Sequence, residues 1–187
     1  MNIQIVIYFS LLFFLSEIIL MIAKRSKKKK SKKKNDRRSL LLFWIVIPLS
    51  LTIGFLTANY LTWNSFNKYL AIVGLIIFII GIIVRWIAII QLNKEFTVDV
   101  VITADHQLKT DGIYATIRHP SYLGLLLISV GLSMAMNSII SFLVITIPIL
   151  FAIIYRITIE ENILISEFGA KYIDYRKKTF KMIPKVY

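Results

Sequence analysis

The sequence predicts an all-α polytopic membrane protein of about five transmembrane helices, and three observations carry that prediction. Hydrophobic residues make up 57% of the 187-residue chain and charged residues 18%, and mean hydropathy is +0.73, far more apolar than one soluble core requires. The apolar residues gather into runs near the roughly 20 that a helix needs to cross a hydrocarbon layer about 30 Å thick. The basic residues, finally, are concentrated in alternate connections between those runs.

The first helix is expected over residues 3–22. Its basic residues follow the apolar run and no small-residue cleavage site is apparent, so it reads as a retained helix with its N-terminus outside, not as a signal peptide. The second is expected over 40–61 and the third over 69–92. Residues 93–118 are too charged to lie in lipid, where unpaired backbone groups cannot be tolerated. A fourth helix over 120–136 and a fifth over 139–158 are joined by "NS" at Asn137 and Ser138, giving a tight C-terminal hairpin. Pro148 lies inside the fifth, and Gly74, Gly81, Gly124 and Gly131 offer places for close helix approach. The chain thus divides into 1–92, three helices with a polybasic loop at 24–38, and 93–187, the connection, hairpin and tail.

Eleven of the 23 basic residues lie in "KRSKKKKSKKKNDRR". The next connection carries one, the third carries Lys94, Lys109 and Arg118, the "NS" turn none and the tail six. This alternation places the lysine run, the 93–118 connection and the C-terminal tail in the cytoplasm. The run suits anionic headgroups, at about 1 kcal/mol per basic residue, so the net charge of +13 does not imply nucleic acid. No cysteine is present, which excludes disulfides and thiolate chemistry, and two histidines are too few for a multi-histidine metal centre.

Ionisable groups in apolar runs are costly and therefore candidates for function. Arg85 and Glu17 each lie toward the basic end of their helices and are expected to snorkel to the surface. Arg156 and Glu160 are four residues apart and share a helix face, whereas Glu161 points roughly 140° from Arg156. Position alone leaves open an intrahelical salt bridge or a pair lining a polar pocket. In "GIYATIRHPSYLG", Pro120 should hold His119 extended and begin the fourth helix, leaving the amides of Ser121 and Tyr122 free for an anion. Tyr114 and Tyr122 suit either a ligand's flat face or the membrane interface.

The order "HQLKTDGIYATIRHPSYLG", a hairpin, then "RITIEENILISEFGAKYIDYRKK" resembles the isoprenylcysteine carboxyl methyltransferase family of integral-membrane methyltransferases, from about residue 95 to the C-terminus. The resemblance implies a cytoplasmic pocket for S-adenosylmethionine within 93–187 and a lipophilic acceptor, an isoprenylcysteine-like carboxylate, entering from the bilayer. It implies cofactor contacts at His106, Leu108, Tyr114, His119, Pro120, Ser121, Tyr122 and Glu160, and a catalytic role for Arg156 in addressing the acceptor's carboxylate. No metal is implied. Compact relatives act on phospholipid amines or small thiols, and an amine acceptor would want Glu161 as its base. A membrane reductase using NADPH is a further alternative, but Lys94 and Lys109 are balanced by Glu95, Asp99, Asp105 and Asp111. A non-catalytic scaffold, in which Arg156 and Glu160 merely pair, is the last.

Overall fold

Why the apolar runs assemble as they do is visible in a computed structural model, which describes residues 3–23, 34–60, 67–92 and 108–184. Described there are α1 (Ile3–Ala23), α2 (Lys34–Tyr60), α3 (Lys68–Leu92), a 3-10 turn (Gly112–Ala115), α4 (Pro120–Ala135), α5 (Ile139–Phe168) and α6 (Ala170–Lys178). The lysine run through residue 33, and residues 93–107 with His106, lie outside the described residues.

Local chemistry sets the boundaries. Pro120 occupies the first helical position of α4, where its missing N–H costs nothing. Asn137 turns the chain with φ 57°, a conformation that asparagine tolerates, and the Ser138 hydroxyl then caps α5 by accepting from the Ser141 amide at 3.3 Å. The predicted hairpin turn is therefore present. Three boundaries differ from expectation. α2 begins at Lys34, so the last basic residues of the 24–38 stretch are helical; α5 runs to Phe168 instead of stopping near 158; and α6 follows after Gly169 alone, at φ 53°. Charges end an apolar count, but Arg, Glu and Lys are good helix formers, and burial of Arg156 and Glu161 against protein removes the need for a helix end.

Among the described residues, three stretches are long and apolar enough to cross a bilayer: Ser39–Tyr60, Tyr69–Leu92 and Ile139–Phe168. The apolar stretches of α1 (Val6–Leu20) and α4 (Pro120–Ala135) are shorter. At about 1.5 Å per residue, α4 reaches only some 24 Å. It is the central helix, packed along α3 on one side and α5 on the other, with α1 touching it and α2 covering α5. Its buried Leu125, Ile128 and Leu132 join Phe78 of α3 and Ile145, Ile149 and Ile153 of α5 in one core. The outward stripe of α3, including Ile72, Ile76 and Ile83, is exposed, as suits lipid.

The close approach expected at four glycines is realised between α3 and α4. A Cβ at Gly74 would lie 2.7 Å from the Gly131 carbonyl oxygen, one at Gly81 2.6 Å from the Ile128 nitrogen, and one at Gly124 2.7 Å from the Arg85 nitrogen. One at Gly131 would meet the Phe78 nitrogen. The two glycines on each helix are seven residues apart, so the backbones touch at two levels, as small residues allow in membranes.

Candidate active site at the His119–Pro120 corner

The segment leading into α4 is pinned from both sides. Gly112 adopts φ 60° directly against the Gln91 side chain, whose Oε1 accepts from the Ile113 amide at 2.9 Å. Tyr114 is buried and donates its hydroxyl to the Ala88 carbonyl at 3.2 Å; its own carbonyl accepts from the Tyr175 hydroxyl at 2.6 Å. Residues beyond α6 then return beside the corner. The Arg118 amide donates to the Phe180 carbonyl at 2.9 Å, that of His119 to Lys181 at 3.0 Å, and that of Phe180 to Thr116 at 2.9 Å. Burial lifts the phenols of this region: Tyr175 is pushed up to about 12, and Tyr114 and Tyr172 are raised as well.

His119 sits at φ −122° and ψ 57°, outside the helical region as a following proline demands, though short of fully extended. The expected pair of free amides is not what forms. The Tyr122 amide donates to the His119 carbonyl at 3.2 Å, and Leu123 shares that acceptor at 3.2 Å, because the tight first turn brings both within reach.

The first turn of α4 faces the second half of α5, and there the predicted residues meet. The Tyr122 hydroxyl donates to Glu160 Oε2 at 2.8 Å and accepts from Arg156 Nε at 3.3 Å. Arg156 is 2% exposed, and its Nη1 also donates to the Ser39 hydroxyl of α2. A carboxylate and a guanidinium one helical turn apart are thus joined through a phenol from the neighbouring helix, beyond a contact within α5 alone. Glu160 is half-buried, whereas Arg156 is almost wholly buried.

The second carboxylate of the pair serves a different cluster. Glu161 Oε1 lies 3.0 Å from Arg118 Nε and 3.4 Å from His119 Nε2, and Oε2 lies 3.7 Å from Arg176 Nη2. The Tyr172 hydroxyl approaches it at 3.5 Å. Arg118 Nη1 further donates to the Arg176 carbonyl at 3.1 Å and to the Thr179 carbonyl, satisfying the C-terminal end of α6. Glu161 therefore fastens α6 to the corner.

The expectation that Arg85 and Glu17 snorkel is overturned. Arg85 Nε and Nη2 donate to the two Glu17 oxygens at 2.6 and 2.7 Å, while Nη1 donates to the Ser121 carbonyl at 3.0 Å. Opposite charges on different helices satisfy one another in a half-buried pair; their opposite sign was the signal available in the sequence.

Of the predicted residues, the structure brings together Arg156, Glu160 and Tyr122, with His119 adjoining through a ring contact at 5.9 Å. Pro120 is fully buried beneath, and Ser121 lends its carbonyl to Arg85. Tyr114 is turned toward α3, and Leu108 lies half-buried on the entering segment. Sequence reasoning missed Ser39 and the fastening role of Arg118. A buried serine among apolar residues carries no motif; Arg118 stood inside one without a stated partner.

Comparison with known proteins matches this same region. The sequence model of the isoprenylcysteine carboxyl methyltransferase (ICMT) family matches residues 73–166, half of the chain. A protein-S-isoprenylcysteine O-methyltransferase of Schizosaccharomyces pombe is 38% identical over 109 residues, 57% of this chain and 46% of that protein. Its counterpart in Saccharomyces cerevisiae is 35% identical over 126 residues, 66% of this chain and 52% of that protein. A solved structure of the eukaryotic intramembrane Ras methyltransferase ICMT superposes with a TM-score of 0.63 at 29% identity, covering 77% of this chain and 52% of that one. The chain spans about half the length of these relatives. Residues 73–166 hold the glycine seam, the His119–Pro120 corner, Arg156 and both glutamates, and on that match this integral-membrane protein belongs to the isoprenylcysteine carboxyl methyltransferase family.

Proposed function

We propose that the chain is an integral-membrane methyltransferase that uses S-adenosylmethionine to methylate a lipophilic acceptor, most directly the carboxylate of an isoprenylcysteine-like group. The observation that carries this reading is the bonded chain Arg156–Tyr122–Glu160 beside the corner. The charges suit both reactants: a half-buried carboxylate for a sulfonium cation, and a buried guanidinium for an acceptor anion. When bound, S-adenosylmethionine supplies an electrophilic methyl group on a positively charged sulfur.

The protein's task is then placement. Glu160 balances the sulfonium charge, and Tyr122 fixes the carboxylate's direction. Arg156, held by Tyr122 and Ser39, keeps a fixed positive charge beside Glu160 that would balance an acceptor carboxylate. That acceptor is ionised at neutral pH and needs no general base. The apolar walls of α4 and α5 keep water from it, which strengthens both charge interactions. His106, Leu108, Tyr114, His119, Pro120 and Ser121 complete the cofactor's surroundings in this proposal. Alternating basic connections support five spans, an N-terminus outside, a cytoplasmic catalytic face and C-terminal segment, and a lysine run resting on anionic lipid.

An amine acceptor would need a proton acceptor, and the spare candidate, Glu161, is committed to Arg118, His119 and Arg176. The geometry therefore favours a carboxylate. Calorimetric titration of the detergent-purified protein with S-adenosylmethionine tests the reading: binding should weaken at least tenfold in Glu160→Ala. Arg156→Lys should bind the cofactor normally yet lose most turnover; binding equal in wild type and Glu160→Ala would exclude the assignment.

A further inference from the structure

A half-buried ion pair between apolar helices needs a reason, because two charges there cost more than apolar residues of the same size. Glu17 and Arg85 form such a pair in bidentate geometry, with side chains 23% and 11% exposed, and neither belongs to the Arg156–Tyr122–Glu160 chain. Arg85 uses its third arm on the Ser121 carbonyl, one residue before Tyr122. It does so at one of the close approaches of α3 and α4: a Cβ on Gly124, three residues further, would lie 2.7 Å from both the Cβ and the nitrogen of Arg85. Glu17 comes from α1, outside the family-matched residues 73–166. The neighbouring pair repeats the pattern, Trp86 Nε1 donating to the Ser16 hydroxyl at 2.9 Å.

We infer that Glu17 and Arg85 are positioning residues: α1 orients the Arg85 guanidinium, which fixes the first turn of α4 and so sets where the Tyr122 hydroxyl stands between Arg156 and Glu160. An ion pair that served only to bind α1 would need two arms of the guanidinium. The third arm, on a backbone carbonyl of the catalytic corner, makes the α1 contact part of the site's geometry. Displacement of a catalytic group by about 1 Å can reduce rate about a hundredfold, so a single fixed carbonyl has leverage.

The inference rests on the methyltransferase reading, and one experiment separates the two. Arg85→Lys keeps the charge and a contact to Glu17 but lacks the fork that reaches Ser121 at the same time. In nanodiscs, hydrogen–deuterium exchange over residues 119–125 should quicken about tenfold in Arg85→Lys, with the melting temperature near that of wild type. Turnover should fall about tenfold or more, with the dissociation constant of S-adenosylmethionine changed less than threefold. Ser16→Ala, which loosens α1 without touching the corner, should leave both exchange and turnover as in wild type. Unchanged exchange in Arg85→Lys, a loss of activity matched by a loss of folded protein, or an equal effect of Ser16→Ala overturns the inference. If wild type transfers no methyl group, the methyltransferase reading fails, and the exchange measurement still decides what Arg85 holds.

Discussion

Tyr122 is the residue on which the site turns, because its hydroxyl is both donor to Glu160 and acceptor from Arg156. Tyr122→Phe keeps the ring and its packing on Phe43 and His119 while removing that hydroxyl. A buried polar group losing its partner costs about 1–3 kcal/mol, and a charged guanidinium more. Turnover should fall about tenfold to a hundredfold, read from initial rates, with helicity by circular dichroism unchanged. The spacing of Arg156 and Glu160 was legible in the sequence, since four residues in a helix define a face. That a tyrosine from another helix would join them was not, because it depends on the rotation of α4 against α5. The same reason hid the Glu17–Arg85 pair: single-helix reasoning sent each charge to the surface, when the cheaper solution lay across helices.

At the scale of elements, the apolar runs of α3 and α4 and the turn between α4 and α5 follow directly from the pattern, and the glycine seam follows from seven-residue spacing. What the pattern could not reach begins midway along α5. Hydropathy stops at the first charges, whereas the helix continues through them because Glu161 binds α6 and the corner. α6 is thereby held by polar contacts, among them the Tyr175 hydroxyl on the Tyr114 carbonyl. Burial raises the Tyr175 phenol from 10.0 to about 12 in the folded protein. A raised folded-state value means that its contribution is complete below pH 10 and is lost as pH climbs from there through about 12. Melting temperature should therefore decline more steeply over that window in wild type than in Tyr175→Phe, followed by near-ultraviolet circular dichroism.

Across the whole molecule, a short central α4 is packed against longer helices, so its first turn lies against the charged residues of α5. The family-matched half contributes the corner and the charged end of α5, while α1 and α2 supply Glu17 and Ser39 to it. The proposed orientation is open to a direct test because the natural chain has no cysteine. A single Lys177→Cys on exposed α6 should react with a membrane-impermeant maleimide in inside-out vesicles and stay unlabelled in intact cells. The chemistry itself is tested most directly by incubating the reconstituted protein with methyl-labelled S-adenosylmethionine and farnesylcysteine, then treating the product with base. The account predicts label on the farnesylcysteine that base releases as methanol, the behaviour of a carboxyl ester; label that resists base, or none transferred at all, would contradict it.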